Sequence, residues 1–283
     1  MSSIWILARM TFREAIRRRI VLTGLVLGVC FLIIFSIGFH MIYATFREST
    51  TNLGQAPARL AQSEGFNFLV LAGLYAVTFL SIAMGALLGA DTLAGEINSG
   101  TIQTIVTKPV RRSDVVFGKW PGFAMLLGLY SLLMAGGTVL SVFVQAGYAP
   151  PNIPAGLALI YLEALLIMTI SLTFSSALSG LATGGVVFGL YGLAFIGGWI
   201  EQFGSLLHNQ TAVNIGIVTS LIIPSEALWR RASYEMQSPL SGALGMSPFS
   251  AISVPSVLMI VYAILYLLVA LGIGVNVFQN RDL

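Results

Sequence analysis

The sequence predicts an all-α integral membrane protein with six transmembrane helices. Hydrophobic residues make up 57% of the chain and charged residues 9%, with a mean hydropathy of +0.90. Soluble domains are roughly half apolar and about a quarter charged. Six apolar runs are each long enough to cross a bilayer, which takes about 20 helical residues. The runs lack two-residue alternation, and a helix satisfies its own backbone polar groups in lipid, so each run is predicted to be helical.

The first 19 residues predict an amphipathic helix at the membrane surface. Arg9, Arg13 and Arg17 recur every four residues, and another side of the same helix carries Trp5, Ala8, Phe12 and Ile16. Basic amphipathic helices lie on anionic lipid surfaces, with tryptophan at the interface. We therefore expect Trp5, Arg9, Arg13 and Arg17 to contact lipid. The alternative is a positively charged flank that only sets topology.

The spans are predicted at residues 20–43, 66–90, 120–146, 155–178, 182–202 and 254–278, within a single transmembrane domain covering residues 1–283. Lysine and arginine accumulate in cytoplasmic loops. With six spans, ten of the fourteen Lys and Arg residues fall on the side of the N-terminus. This predicts a multi-pass protein of the cytoplasmic membrane with both termini in the cytoplasm.

The segment 211–223 is apolar but only thirteen residues long, and it ends at Pro224. If it crossed the membrane, eleven Lys and Arg residues would lie on the cytoplasmic side and three outside. The positive charge therefore does not distinguish six spans from seven. Its length favours a short re-entrant or interfacial helix before the last span. Residues 204–253 are then predicted to form an extracellular cap or re-entrant region, the alternative being a linker.

The segment 91–119 reads DTLAGEINSGTIQTIVTKPVRRSDVVFGK and combines charge with turn-forming residues. Apolar residues on one side predict a short cytoplasmic helix, which Pro109 ends because the residue before a proline avoids helical angles. An amphipathic helix of this kind suits docking in a groove of another protein. The alternative is an ordinary basic loop held by lipid headgroups.

No catalytic, cofactor-binding or metal-binding residue is predicted. A phosphate-binding loop ending at Lys119 would need glycine where Ser113 stands. Cys30 is the single cysteine, so no disulfide framework exists. His40 and His208 lie far apart without a second ligand at metal-binding spacing.

Glu163 is the one acidic residue well inside a predicted span. A charge there is costly unless it faces the bundle interior or water. We therefore predict Glu163 as a candidate residue of a translocation path. The alternative is a protonated or hydrogen-bonded glutamate that stabilises helix packing. Glu201, at the end of the fifth run, is expected at the membrane interface.

The 91–119 segment resembles the first cytoplasmic loop of the type-2 ABC exporter permeases. That loop commonly shows a glutamate, then Gly-Thr, proline, a Ser/Arg pair, and Gly-Lys opening the third helix. The matching residues here are Glu96, Ser99, Gly100, Thr101, Lys108, Pro109, Arg111, Gly118 and Lys119. The resemblance covers nearly the whole chain and is nearest to the six-span permeases of nitrous-oxide-reductase maturation transporters. The stretch 223–230 is similar to an Asn-Pro-x-(Asp/Glu) stretch, with Ile223 in place of asparagine.

The resemblance implies a permease subunit that works as a dimer, with a second copy or a homologue, on two copies of a separate ATPase. The coupling helix would be shaped by Glu96, Ser99, Gly100, Thr101 and Pro109, with Arg111 and Arg112 touching the ATPase or lipid headgroups. ATP and Mg²⁺ would bind the ATPase, so this chain is expected to be no enzyme and to need no cofactor.

Membrane lipid is an expected partner, a periplasmic or extracellular accessory protein is left open, and no nucleic acid is expected. The alternatives are an autonomous channel or secondary transporter and a non-transporting membrane scaffold.

Overall fold

The computed structural model describes residues 3–49, 55–90, 92, 94–95, 112–240, 249 and 253–280. Within these residues the chain forms nine α-helices and no β-strand. The helices are α1 (Ser3–Ile16), α2 (Arg19–Ser49), α3 (Gln55–Ala90), α4 (Arg112–Ala146), α5 (Ile153–Ser175), α6 (Gly180–Leu206), α7 (Gln210–Ile222), α8 (Ser225–Met236) and α9 (Val257–Gln279).

Six of the described helices are long and apolar enough to cross a membrane, which confirms the predicted fold class. They are α2, α3, α4, α5, α6 and α9. Two of them begin more than one helical turn earlier than predicted: α3 at Gln55 rather than residue 66, and α4 at Arg112 rather than residue 120. The difference arises because an apolar run marks only the part of a helix that lies in hydrocarbon, while the backbone hydrogen bonds continue into the polar flanks.

The α5 helix forms the centre of the bundle, with 67% of its apolar window buried. Its contact with α3 is close because α3 carries glycine there. A Cβ atom on Gly85 would lie 2.9 Å from the carbonyl oxygen of Ala164, and one on Gly89 would lie 2.6 Å from Cβ of Ser171. The Ser171 hydroxyl also donates a 2.6 Å hydrogen bond to the carbonyl of Ala86. Small residues thus let two spans pack backbone to backbone.

The α1 helix packs against the first part of α4. A Cβ on Gly122 of α4 would lie 2.7 Å from the carbonyl oxygen of Ala8. The buried side of α1 consists of Ala8, Thr11 and Ala15, whereas Trp5 is 59% exposed. Of the predicted apolar side, Ala8 is buried against α4 and Phe12 packs on the hydrophobic core, whereas Trp5 and Ile16 are exposed. Arg9, Arg13 and Arg17 are exposed, and their contact with lipid stays a prediction.

The short segment before the last span is a helix pair bent by 108°. The first member, α7, matches the predicted helix at 211–223. Ile223 has extended angles, as expected before a proline, and Pro224 starts the return helix α8. Sequence reasoning did not foresee α8 as a helix.

Most of α8 is buried against α5 and α6. The extracellular cap or re-entrant region predicted for residues 204–253 stays a prediction.

Candidate functional site: a buried acidic and aromatic cluster

Six of the predicted coupling residues lie outside the described residues: Glu96, Ser99, Gly100, Thr101, Pro109 and Arg111. Of Arg112, only the backbone at the start of α4 is described. Their contact with an ATPase stays a prediction. The structure shows that α3 ends and α4 begins at the end of the bundle where α1 lies, which we call the loop end. The opposite end is called the distal end.

Glu163 on α5 is fully buried, and neither carboxyl oxygen has a hydrogen-bond partner among the described residues. Its side chain interacts electrostatically with Glu226 of α8 and with the hydroxyl groups of Tyr75 and Tyr191. These four groups therefore share one buried region, to which α3, α5, α6 and α8 contribute. A neutral acid costs far less to bury without a partner than a carboxylate does. A role for Glu163 in a translocation path stays a prediction.

Glu226 lies in the first turn of α8, where a negative charge is favoured by the helix dipole. It is 5% exposed, and Tyr75 on α3 donates a 3.4 Å hydrogen bond to its Oε1. Trp199 on α6 donates in turn to the Tyr75 hydroxyl at 3.1 Å. The second oxygen of Glu226, Oε2, has no partner among the described residues. A Cβ on Gly198 would overlap the Glu226 side chain, so α6 needs a glycine at this point.

Beside Glu226, Arg230 of α8 forms a buried ion pair with Glu201 of α6. Arg230 also donates to the Ser220 hydroxyl of α7 at 3.1 Å, and Ser253 donates to Glu201 at 2.7 Å. The carboxylate of Glu201 is buried within the protein because α7 and α8 fold back over the end of α6. Its predicted depth at the membrane interface stays a prediction.

Aromatic rings surround these acids. Tyr191, Phe195, Trp199 and Phe203 follow one another every four residues on α6, with successive ring centroids 6.3, 6.4 and 5.6 Å apart. Tyr75 packs against Trp229 of α8, with centroids 4.9 Å apart.

Between α3, α6 and α8 lies a cavity of about 10 Å³, bordered by Glu226, Gln202 and Arg230 among others. A space of this size holds about one water molecule.

A separate group of hydrogen bonds joins α3, α8 and the chain after α4 at the distal end. The Asn67 amide, fully buried, donates to the Tyr148 hydroxyl at 2.8 Å and to the carbonyl of Met236 at 2.9 Å. Ser238 donates to Glu64 at 2.6 Å. Burial raises the pKa of the Tyr148 phenol, so it stays neutral at physiological pH. This end of the bundle is thereby closed by polar contacts.

The structure thus brings Glu163 together with residues to which sequence reasoning gave no role. Glu226 stands in the 223–230 stretch that had been matched to an Asn-Pro-x-acid pattern, so a signal for it was present. The four-residue spacing of the α6 aromatics was also readable from sequence. Nothing local to either residue signals the pairing of Glu201 with Arg230, because it depends on the bend at Pro224.

Comparison with known proteins gives two matches. A family model described as ABC-2 family transporter protein matches residues 5–283. A protein of Stutzerimonas stutzeri described as the probable ABC transporter permease protein NosY is 26% identical over 142 residues, which cover 50% of this chain and 46% of that protein. The chain thus aligns with about half the length of this curated relative.

Proposed function

From the premise that this chain belongs to the ABC-2 family of transporter proteins, we propose that it is the membrane-spanning permease subunit of an ABC exporter. The observation that carries the proposal is a family match running from residue 5 to the end of the chain over a six-span helical fold. A permease of such a transporter is not itself the ATPase. Its function would be to form the substrate path and to pass on the energy of ATP hydrolysis by a partner subunit.

In this proposal the coupling helix lies between α3 and α4, at the loop end of the bundle. Glu96, Ser99, Gly100, Thr101 and Pro109 shape it, and Arg111 with Arg112 contacts the ATPase or lipid headgroups. Two ATPase copies serve two permease copies. The loop end then faces the cytoplasm, and the distal end is the side of release. Support comes from the basic residues at the loop end and from the packing of α1 on α4 there.

The substrate path runs, in the same proposal, beside α5, where Glu163 meets the other buried acids. In the described structure this region is closed apart from the cavity of about 10 Å³. Transport therefore requires α6 and α8 to move relative to α3 and α5. The bent helix pair follows α6 after residues 207–209 and is separated from α9 by residues 237–256, so in this proposal it moves together with α6.

Co-expression with an ABC ATPase of the same genome tests the proposal. We expect a tagged form of this chain to retain the ATPase during purification and to hydrolyse ATP after reconstitution in lipid. Failure to retain any such ATPase, together with transport that needs no nucleotide, would contradict the proposal.

That contrary outcome would favour an autonomous secondary transporter, the second candidate. Such transporters place ionisable residues at broken helices near the middle of the membrane. Here a buried acid stands beside the break between α7 and α8, which is the observation that favours this candidate.

A further inference from the structure

We infer that the buried group formed by Glu163, Glu226, Tyr75, Trp199 and Trp229 is a binding site for an organic cation. We call it the acidic–aromatic cluster. The inference deepens the proposed function and rests on it, since the cation would be the substrate that the permease carries. Three features of the cluster support this inference: its charge, its aromatic surface and the route into it.

The charge of this region is unbalanced. Glu163, Glu201 and Glu226 are three buried carboxyl groups, whereas Arg230 is the single buried guanidinium among them. Arg230 is engaged by Glu201, with which it forms the ion pair. Arg230 also attracts Glu226, which lies one turn earlier on α8, so one guanidinium is shared by two carboxyl groups, and no described basic residue interacts with Glu163. Without a ligand Glu163 is less costly to bury as the neutral acid, and an entering cation would stabilise its carboxylate.

The unpartnered atoms face the cluster rather than solvent. Both oxygens of Glu163 and Oε2 of Glu226 are buried and accept no hydrogen bond from a described residue. Glu226 borders the cavity, whereas Glu163 does not line it and is related to it only through its electrostatic interaction with Glu226. The cluster is therefore a buried acceptor site that the described chain does not fill.

The aromatic surface of the cluster is the second feature that suits a cation. Tyr75 lies 4.9 Å from Trp229 between ring centroids, and Trp199 borders the same cavity. Tryptophan and tyrosine attract cations through the negative face of the ring, and this attraction strengthens when water is excluded. Organic ammonium or phosphonium ions combine a diffuse positive charge with apolar bulk, and they fit both the rings and the acids.

A metal cation fits less well. Within the described chain, no three His, Cys, Asp or Glu side chains are grouped as metal ligands would be. An anion would fit less well, because Arg230, the buried guanidinium of this region, is already paired with Glu201.

Access follows the aromatic row on α6. From Tyr191, which is buried, the rings continue through Phe195 and Trp199 to Phe203, which is 52% exposed. Movement of α6 away from α8 would open the cavity from its present size to that of a small organic ion. The Glu226 side chain packs against Gly198 of α6, so opening the cavity requires this contact to separate.

Binding of tetraphenylphosphonium to the full chain in lipid nanodiscs tests the inference, with empty nanodiscs as background. Unlabelled tetraphenylphosphonium and neutral triphenylphosphine oxide, which has similar aromatic bulk, serve as competitors. The variants are Glu163→Gln, Glu226→Gln and Trp199→Leu. Glu14→Gln on the exposed side of α1 is the matched control, since it also removes one carboxylate. Size-exclusion profiles establish which variants are folded.

We expect saturable binding to the wild type and to Glu14→Gln that the cation displaces and the neutral molecule does not. Glu163→Gln and Glu226→Gln should bind the cation about tenfold more weakly. Equal competition by the neutral molecule, equal binding by the glutamine variants, or absence of saturable binding would overturn the inference. If the glutamine variants aggregate, the Trp199→Leu variant tests the cation site instead. A selective loss of cation binding in this variant would support the site, and unchanged binding would refute it.

The exporter function and the cation site can be refuted independently of each other. If an ATPase co-purifies and hydrolyses ATP while cation binding shows no selectivity, only the cation site is refuted. If the cation binds selectively but no ATPase associates with the chain, the exporter function is refuted and the site stands.

Discussion

Arg230 of α8 and Glu201 of α6 form an ion pair in which both side chains are about 95% buried, at 4% and 5% exposure. The pair joins α8, the second helix of the bent pair, to α6, the fifth span. Breaking a buried pair from one side leaves an uncompensated charge, which costs about 3–5 kcal/mol. We therefore expect Arg230→Met to lower the thermal unfolding temperature markedly in detergent.

The control is Arg231→Gln, whose partner Glu235 lies one turn away at partial exposure. Pairs of that kind contribute less than about 1 kcal/mol. The double replacement Glu201→Leu with Arg230→Met should recover much of the lost stability, because it leaves no unpaired charge. Equal destabilisation by Arg230→Met and Arg231→Gln would contradict a special role for the buried pair.

Replacement of Gly198 should separate α6 from α8. In Gly198→Ala the new Cβ overlaps the Glu226 side chain, and such overpacking costs about 1–3 kcal/mol. Gly192→Ala on the same helix is the matched control, since nothing lies within 4 Å of a Cβ there. Thermal unfolding of both variants would reveal the difference. A neutral Gly198→Ala would mean that Glu226 is not held against α6.

The predicted coupling helix is tested by Gly100→Leu and Glu96→Lys. If this segment docks in the ATPase, bulk or reversed charge should abolish stimulation of ATP hydrolysis by transport, while insertion of the spans persists. The readouts are ATPase co-purification and hydrolysis in reconstituted membranes, with Glu14→Gln as a substitution outside the segment. Unaltered co-purification and hydrolysis in both variants would favour a simple loop.

Topology is tested by two labels used together. A reporter fused after Leu283 should lie in the cytoplasm. In a Cys30→Ser background, Gln210→Cys should react with a membrane-impermeant reagent from outside, because Gln210 is exposed at the turn from α6 into α7. The structure makes this position preferable to Ser238, whose hydroxyl is bonded to Glu64. Labelling from inside would reverse the assigned orientation.

Much of the architecture was predictable because hydropathy and length report directly on lipid-exposed helices. The six spans and the short helix ending at Pro224 followed from these alone. The α8 helix was missed because its composition is polar while its surroundings are buried. That burial is a tertiary effect, created by the partners Tyr75, Glu201 and Ser220. The site could likewise be predicted only in part. Glu163 is recognisable in the sequence as a lone acid in an apolar run, whereas Glu226 and Arg230 have the sequence surroundings of a surface loop.

The seating of α1 on Gly122 has a mechanical consequence. Ala8 touches the backbone of α4 only a few turns after residues 91–111, so α1 and the opening turns of α4 cannot shift independently. Exposed arginines on the outer side of α1 make it responsive to the charge of the leaflet beneath it. If residues 91–111 form the proposed coupling segment and α1 lies on lipid as predicted, the bilayer and a bound ATPase would act on the same stretch of α4, and a change in lipid composition would affect the helix that the ATPase moves.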